Sequence, residues 1–312
     1  MPWKDNYTTS DETSLADADI VWPEGKTCHV SITVDLSLAS GAEGVTEKDL
    51  HTDRAIFGMN EGLDAVIALL AEHKLKATFT TPAVLASTYA ARLQEVMAAG
   101  HEVAAHGFLH EDVAGLSRAE EAERIAAATE MIGSVTGKVP VGWHSLPRQS
   151  DPFAVGTVNE HTIDLLAESD YLYFGPGLAD DAPYYWVADY ASGKSILAMP
   201  YYFHFDDQFF LMFPAKGTGL EHADALHANW IAEFDAQYER GRCFSMVLHP
   251  HLIAWCNRSR RLSRFLAHMA GHSGVWSATA EQCARHWLDR YPPEAGLRLS
   301  PSIWQDHPGS LS

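Results

Sequence analysis

Apolar residues along this chain fall into short β-branched runs that alternate with longer stretches carrying them every three or four positions. That alternation predicts strands separated by helices. Residues 27–36 (TCHVSITVDL) make the first run, with the pattern of a strand buried on both faces and Asp35 at its carboxyl end. Further strands are predicted over 77–81, 102–105, 139–143, 171–174, 195–199, 242–248 and 275–278. Helical spacing covers 60–73, where Leu63, Val66, Ile67, Leu69 and Leu70 form an apolar face, and 89–99, which Gly100 stops. A helix over 116–132 opens with Ser117 as N-cap and Glu120 where a capping box needs it. Others are predicted over 157–168, 221–239, 260–270 and 280–291. Residues 175–185 read as a loop, and 201–213 as an aromatic-rich insert.

Strands and helices in this rhythm predict an α/β fold built on a parallel sheet or barrel. There is no internal repeat and no inter-domain linker, so one domain is expected over 27–291. A polar leader (1–26) precedes it, and a Pro- and Ser-rich tail (292–312) follows. Asp35, His106, His144 and His249 each fall at or just past the carboxyl end of a predicted strand. In a (β/α) barrel such positions converge on one face, where active sites are built.

Composition narrows the function. The 312 residues carry a formal net charge of −19, which disfavours nucleic acid and anionic membrane surfaces as partners. No run is long and apolar enough to span a bilayer, and the polar, acidic start lacks the apolar core of a signal peptide. A cytoplasmic protein is expected. Cys28, Cys243, Cys256 and Cys283 are scattered without a CxxC pair and read as buried thiols. Histidine occurs 17 times, enough for several to serve as ligands or acid–base groups.

The sequence His106-Gly-Phe-Leu-His110 places two imidazoles at i and i+4, on one face if the turn is helical, where they can share an ion. The plain alternative is a pair of surface histidines. Asp35 is the natural third ligand or a general base, unless it merely caps a turn. His249-Pro250-His251 reads as catalytic or as a capped turn. Together these groups can hold a water, deprotonate it and protonate a leaving nitrogen, which is hydrolysis.

The order of these motifs resembles the polysaccharide deacetylase superfamily. It runs from strand–Asp35 through His106…His110 and Gly142-Trp143-His144-Ser145-Leu146-Pro147 to Leu248-His249-Pro250, and spans residues 27–287. The segment Asp180-Asp181-Ala182-Pro183-Tyr184-Tyr185-Trp186 and the arginine-bearing helix start at 257–264 are similar to its intracellular branch. That branch includes cofactor-independent allantoinase, cyclic imide hydrolases and a peptidoglycan-deacetylase-like tetramer. The resemblance implies a single distorted (β/α) barrel of about seven parallel strands and a homo-oligomer, a tetramer by analogy. It also implies Asp35 as catalytic base, His249 as general acid, and His106 and His110 as the metal-binding pair. Two positions depart from the pattern. Leu36 and Ser37 stand where the family has a metal carboxylate, and His144 takes the place of an arginine that pairs with the base.

Two mechanisms stay open at this point. In one, Asp35, His106 and His110 bind Zn2+, which activates water. In the other no metal binds, and Asp35 or a histidine is the base. Aromatic residues at 184–186 and 201–210 are expected to roof the site or to form a subunit interface. Tyr184, Trp186, His144, Arg148 and Arg258 are the candidate substrate contacts, while Arg260 and Arg261 read equally as surface charges. The expected activity is hydrolysis of a carbon–nitrogen bond, other than a peptide bond, in a small, cyclic amide or imide. De-N-acetylation of an amino sugar, oligosaccharide or peptidoglycan is the alternative, and a catalytically inactive binding barrel is the second.

Overall fold

The computed structural model describes residues 15–38, 43–144, 159, 161–177, 179–189, 194–202, 205–212 and 223–296. Strand β1 (Cys28–Asp35) is buried at every position before Asp35. Val30, Ile32 and Val34 enter the main core, and His29, Ser31 and Thr33 on the opposite face are buried too. A strand with no wet face belongs inside a sheet covered on both sides. The other strands are β2 (Thr78–Thr81), β3 (Glu102–Ala105), β4 (Gly142–His144), β5 (Tyr173–Gly177), β6 (Tyr184–Asp189), β7 (Lys194–Pro200), β8 (Cys243–Leu248) and β9 (Val275–Ser277).

They join in the order β6-β7-β5-β4-β3-β2-β1-β8, with β9 also paired to β1. Every ladder is parallel except β6–β7. The chain leaving β7 comes round to β8, where Asp206 makes an isolated parallel bridge with Val247. Among the described residues no ladder joins the two ends of the strand order, so the expected distorted (β/α) barrel is not closed by strand pairing.

The antiparallel β6 is a departure, because part of it was expected to be loop. Tyr185, Trp186 and Val187 face Leu197, Ile196 and Ser195 across the ladder, so an apolar run too short to signal its own partner becomes an edge hairpin. Helices follow the expected rhythm with shifted ends. The helix Arg118–Thr136 starts with the predicted Ser117–Glu120 box but runs on to Gly137, whose φ of +73° lets it cap the end. The face expected over 60–73 divides into a helix Asp53–Phe57, a π-helical turn Gly58–Gly62 and a helix Leu63–Glu72.

Half of the expected polar leader packs onto the body. Ile20 and Trp22 are buried, and the Trp22 Nε1–H donates to the Gly241 carbonyl (2.8 Å). Arg242, also buried, pairs with Asp17, Asp180 and Asp181. Residues 1–14 and the tail from 297 lie outside the described residues. Cys28, Cys243 and Cys283 are buried thiols as expected, whereas Cys256 is exposed at a helix start. Among the described residues, no helix is long and apolar enough to cross a membrane.

Candidate active site

The parallel registers set the site. Asp35 pairs with Thr80, Thr81 with Ala105, Ala105 with Trp143, and Val34 with Leu248. The residues at or just past those strand ends are Asp35, His106, His144 and His249, so the four reactive groups share one edge of the sheet. The Asp35 Oδ1 accepts from the Ser37 backbone N–H (2.7 Å). Its Oδ2 lies 3.4 Å from His106 Nε2 and 3.5 Å from His249 Nε2. Asp35, His106 and His249, separated by more than 200 positions from first to last, are thus brought together as expected.

The loop carrying His106 and His110 is not helical. Gly107 has φ +78° and His110 has φ +61°. Neighbouring segments replace the helical hydrogen bonds, since the carbonyls of Gly107, Phe108 and Leu109 accept from the backbone N–H of Ala83, Val84 and Val45. Gly44 beside that last contact has φ +81° and is so close that a Cβ would overlap the Leu109 carbonyl. The Leu109 N–H donates to Glu111 Oε2 (2.6 Å), and Arg124 Nε lies 3.6 Å from the same carboxylate. This pinned turn still brings the two rings together, tilted at 48° with centroids 4.4 Å apart.

His106 Nδ1 lies 3.3 Å from the His144 carbonyl oxygen, which can only accept. The ring therefore carries a proton on Nδ1 and turns its Nε2 towards Asp35. His144 reaches the site through that carbonyl. Its own ring stays neutral, pushed down to about 3 by burial and by the nearby His106 charge.

Two carboxylates that sequence reasoning passed over complete the site. Asp207, at the start of the helix Asp207–Met212, accepts from the His249 ring Nδ1–H (2.7 Å) and from its backbone N–H (2.9 Å). Asp206 lies 3.6 Å from the same ring nitrogen and accepts from the Tyr201 hydroxyl (2.7 Å). Asp206 and Asp207 sit within the insert read as aromatic. An acidic pair beside Phe205 and Phe209 was the available signal, because carboxylates in a core-like run need partners. His249 heads the short helix Pro250–Ile253, yet its side chain does not cap that helix and turns to Asp207 instead.

Charge follows from these contacts. Burial opposes a charged His249 ring, but Asp206, Asp35 and Asp207 outweigh it and hold its pKa well above the usual histidine value. Burial alone would raise Asp35. The charges and hydrogen bonds of His106 and His249 prevail and hold it well below the usual carboxylate range. Asp206 is pushed up to about 6, chiefly by burial. His251, edge-on to His249 at 5.7 Å, is pushed down to about 3 by burial and stays neutral. At neutral pH the site therefore sets an ionised Asp35 beside a protonated His249.

Of the expected metal residues, Asp35 meets His106 at 3.4 Å and the His110 ring lies 4.4 Å from that of His106, centroid to centroid. Leu36 and Ser37 supply no second carboxylate. Asp206, Asp207 and His249 present three ligand atoms all within 4.8 Å of one another and could hold an ion. In the arrangement seen, their atoms are engaged with one another, with His249 Nδ1 and Asp207 Oδ1 at 2.7 Å.

Other expected contacts resolve differently. Tyr184 and Trp186 are buried core residues on β6, with Trp186 edge-on to Phe174 (5.2 Å). With Tyr185 equally buried, residues 184–186 pack within their own chain. Arg258 Nη1 donates to the Leu252 carbonyl (3.0 Å) and braces the turn that follows His249. Arg261 pairs with Asp224, and Arg260 is exposed. Arg148 lies outside the described residues.

The chain is similar to known proteins in sequence and in fold. Residues 53–173 match the polysaccharide deacetylase family. The peptidoglycan deacetylase of Helicobacter pylori is 24% identical over 292 residues, covering 84% of this chain and 97% of that protein. A Mycobacterium smegmatis structure assigned to the polysaccharide deacetylases superposes with a TM-score of 0.74 at 26% identity, over 93% of this chain and 97% of that one. The structure of Puue allantoinase superposes with a TM-score of 0.73 at 22% identity, over 90% and 96% of the two chains, and so shares the fold. The chain is thus similar to these proteins over most of its length, with the family match itself lying within residues 53–173.

Proposed function

We propose that this chain hydrolyses the carbon–nitrogen bond of a small, cyclic amide or imide, with Asp35 as base and His249 as acid. The observation that carries the reading is the placement of Asp35 Oδ2 within 3.5 Å of the Nε2 atoms of both His106 and His249. His106, whose Nε2 faces the carboxylate, orients Asp35 towards the attacking water. As the water oxygen bonds to the carbonyl carbon, its proton passes to Asp35. The carbon–nitrogen bond then breaks as the nitrogen takes the proton on His249 Nε2.

A carboxylate with a depressed pKa is a weak base at rest, and the coupling to His249 acts after the attack. When His249 gives its proton to the leaving nitrogen, the cation that depressed Asp35 disappears. Asp35 becomes more basic in the step where it must hold a proton. No step here is routed through a metal.

A small substrate is supported by the burial of the catalytic groups, since His106 and His249 are 6% and 2% exposed. The fold shared with an allantoinase is consistent with it. The experiment is a turnover panel of succinimide, hydantoin and allantoin beside N-acetylglucosamine oligomers. Hydrolysis of a cyclic amide is expected, and turnover of the oligomers alone would remove this reading. De-N-acetylation is the second reading, favoured by the match to the peptidoglycan deacetylase over 97% of its length.

A further inference from the structure

Outside the active-site cluster, the described residues hold one other group of metal-ligating side chains with converging atoms. Asp235 lies on the helix Ala223–Arg240, His268 on the helix Cys256–Ala270, and His272 two residues beyond the latter's end. One ligand atom from each lies within 4.8 Å of the other two. We propose that Asp235, His268 and His272 form a second site, for a divalent transition-metal ion of the zinc class.

The tautomers suit it. His272 Nδ1 lies 2.8 Å from the His268 carbonyl oxygen, which can only accept, so Nδ1 carries the proton and Nε2 the lone pair. A backbone carbonyl that fixes a ring in this way is the usual support for a metal-binding histidine. His268 Nε2 sits 2.6 Å from Asp235 Oδ1, the distance of a hydrogen bond whose proton an ion would displace.

The rings are also held in place. Phe234 meets His268 edge-on at 5.5 Å and His272 at 5.1 Å, while Tyr238 meets His272 at 4.8 Å. The two imidazoles lie 4.9 Å apart, centroid to centroid. All three ligands are half-buried, so solvent can complete the coordination sphere. Two imidazoles and one carboxylate suit zinc, and nickel or copper as well. Bound there, the ion ties together the two helices that flank β8, the strand delivering His249. The inference does not depend on the proposed reaction.

The test is calorimetric titration of the chelator-stripped full-length protein with Zn2+. The variants His272→Ala, Asp235→Asn and the double substitution His106→Ala/His110→Ala are titrated in parallel, with circular dichroism to verify folding. Wild type should bind zinc in a component that the first two variants weaken by at least about tenfold and the double variant retains. The site is refuted if wild type takes up no zinc, or if both His272→Ala and Asp235→Asn bind it as wild type does. Asp235→Asn keeps the side-chain shape, so it decides the matter if His272→Ala misfolds.

Discussion

Asp207 holds His249 twice, accepting its ring Nδ1–H at 2.7 Å through Oδ1 and its backbone N–H at 2.9 Å through Oδ2. Orientation and charge of the imidazole are therefore set by one carboxylate, and its Nε2 is left facing Asp35. Asp207→Asn keeps the shape but removes the anion and allows the wrong tautomer. Steady-state kinetics should show kcat down about 10²- to 10⁴-fold with KM little changed. A variant with wild-type kcat would remove Asp207 from the proton path.

The pH profile of kcat/KM follows from the two displaced groups. Activity needs Asp35 ionised, and its lowered pKa places the acid limb below the usual carboxylate range. It also needs His249 protonated, and its raised pKa places the alkaline limb well above the ordinary histidine value of 6.5. A broad plateau through neutrality is expected. In Asp207→Asn the alkaline limb should move to lower pH, because a neighbouring anion that favours the cation is gone.

Because the proton path uses only side chains, prolonged dialysis against a chelator should leave kcat within about twofold of its starting value. Metal analysis before and after dialysis verifies removal. Loss of turnover that returns with added Zn2+ would instead give His106 and His110 the ligand role that the sequence suggested.

Trp186 offers a check on packing against substrate contact. It is 6% exposed and edge-on to Phe174, so Trp186→Ala should cost about 3–5 kcal/mol of stability. Trp186→Phe should largely preserve both melting temperature and KM. A large rise in KM in the phenylalanine variant, with stability unchanged, would restore Trp186 as a substrate contact.

Much of this arrangement was legible in the sequence because parallel sheets align strand ends. Once β1, β3, β4 and β8 were recognised as apolar runs, Asp35, His106, His144 and His249 had to share an edge. The Ser117–Glu120 box was legible because capping is local. Asp206 and Asp207 were not, because their place depends on one isolated bridge between Asp206 and Val247, which no periodicity announces. The His106–His110 geometry was legible only on the condition of a helical turn, because the turn is shaped by long-range backbone bonds from Val45, Ala83 and Val84. Likewise, β6 lies on an edge, and its pairing with β7 is decided by the fold.

The proposed chemistry requires a carboxylate at position 35 that can take a proton from water. Turnover of the best cyclic amide by Asp35→Asn, measured against wild type with melting temperature as the folding control, tests this most directly. A fall of about 10²- to 10⁴-fold in kcat at unchanged melting temperature is predicted. A folded Asp35→Asn protein with kcat within a few-fold of wild type would contradict it.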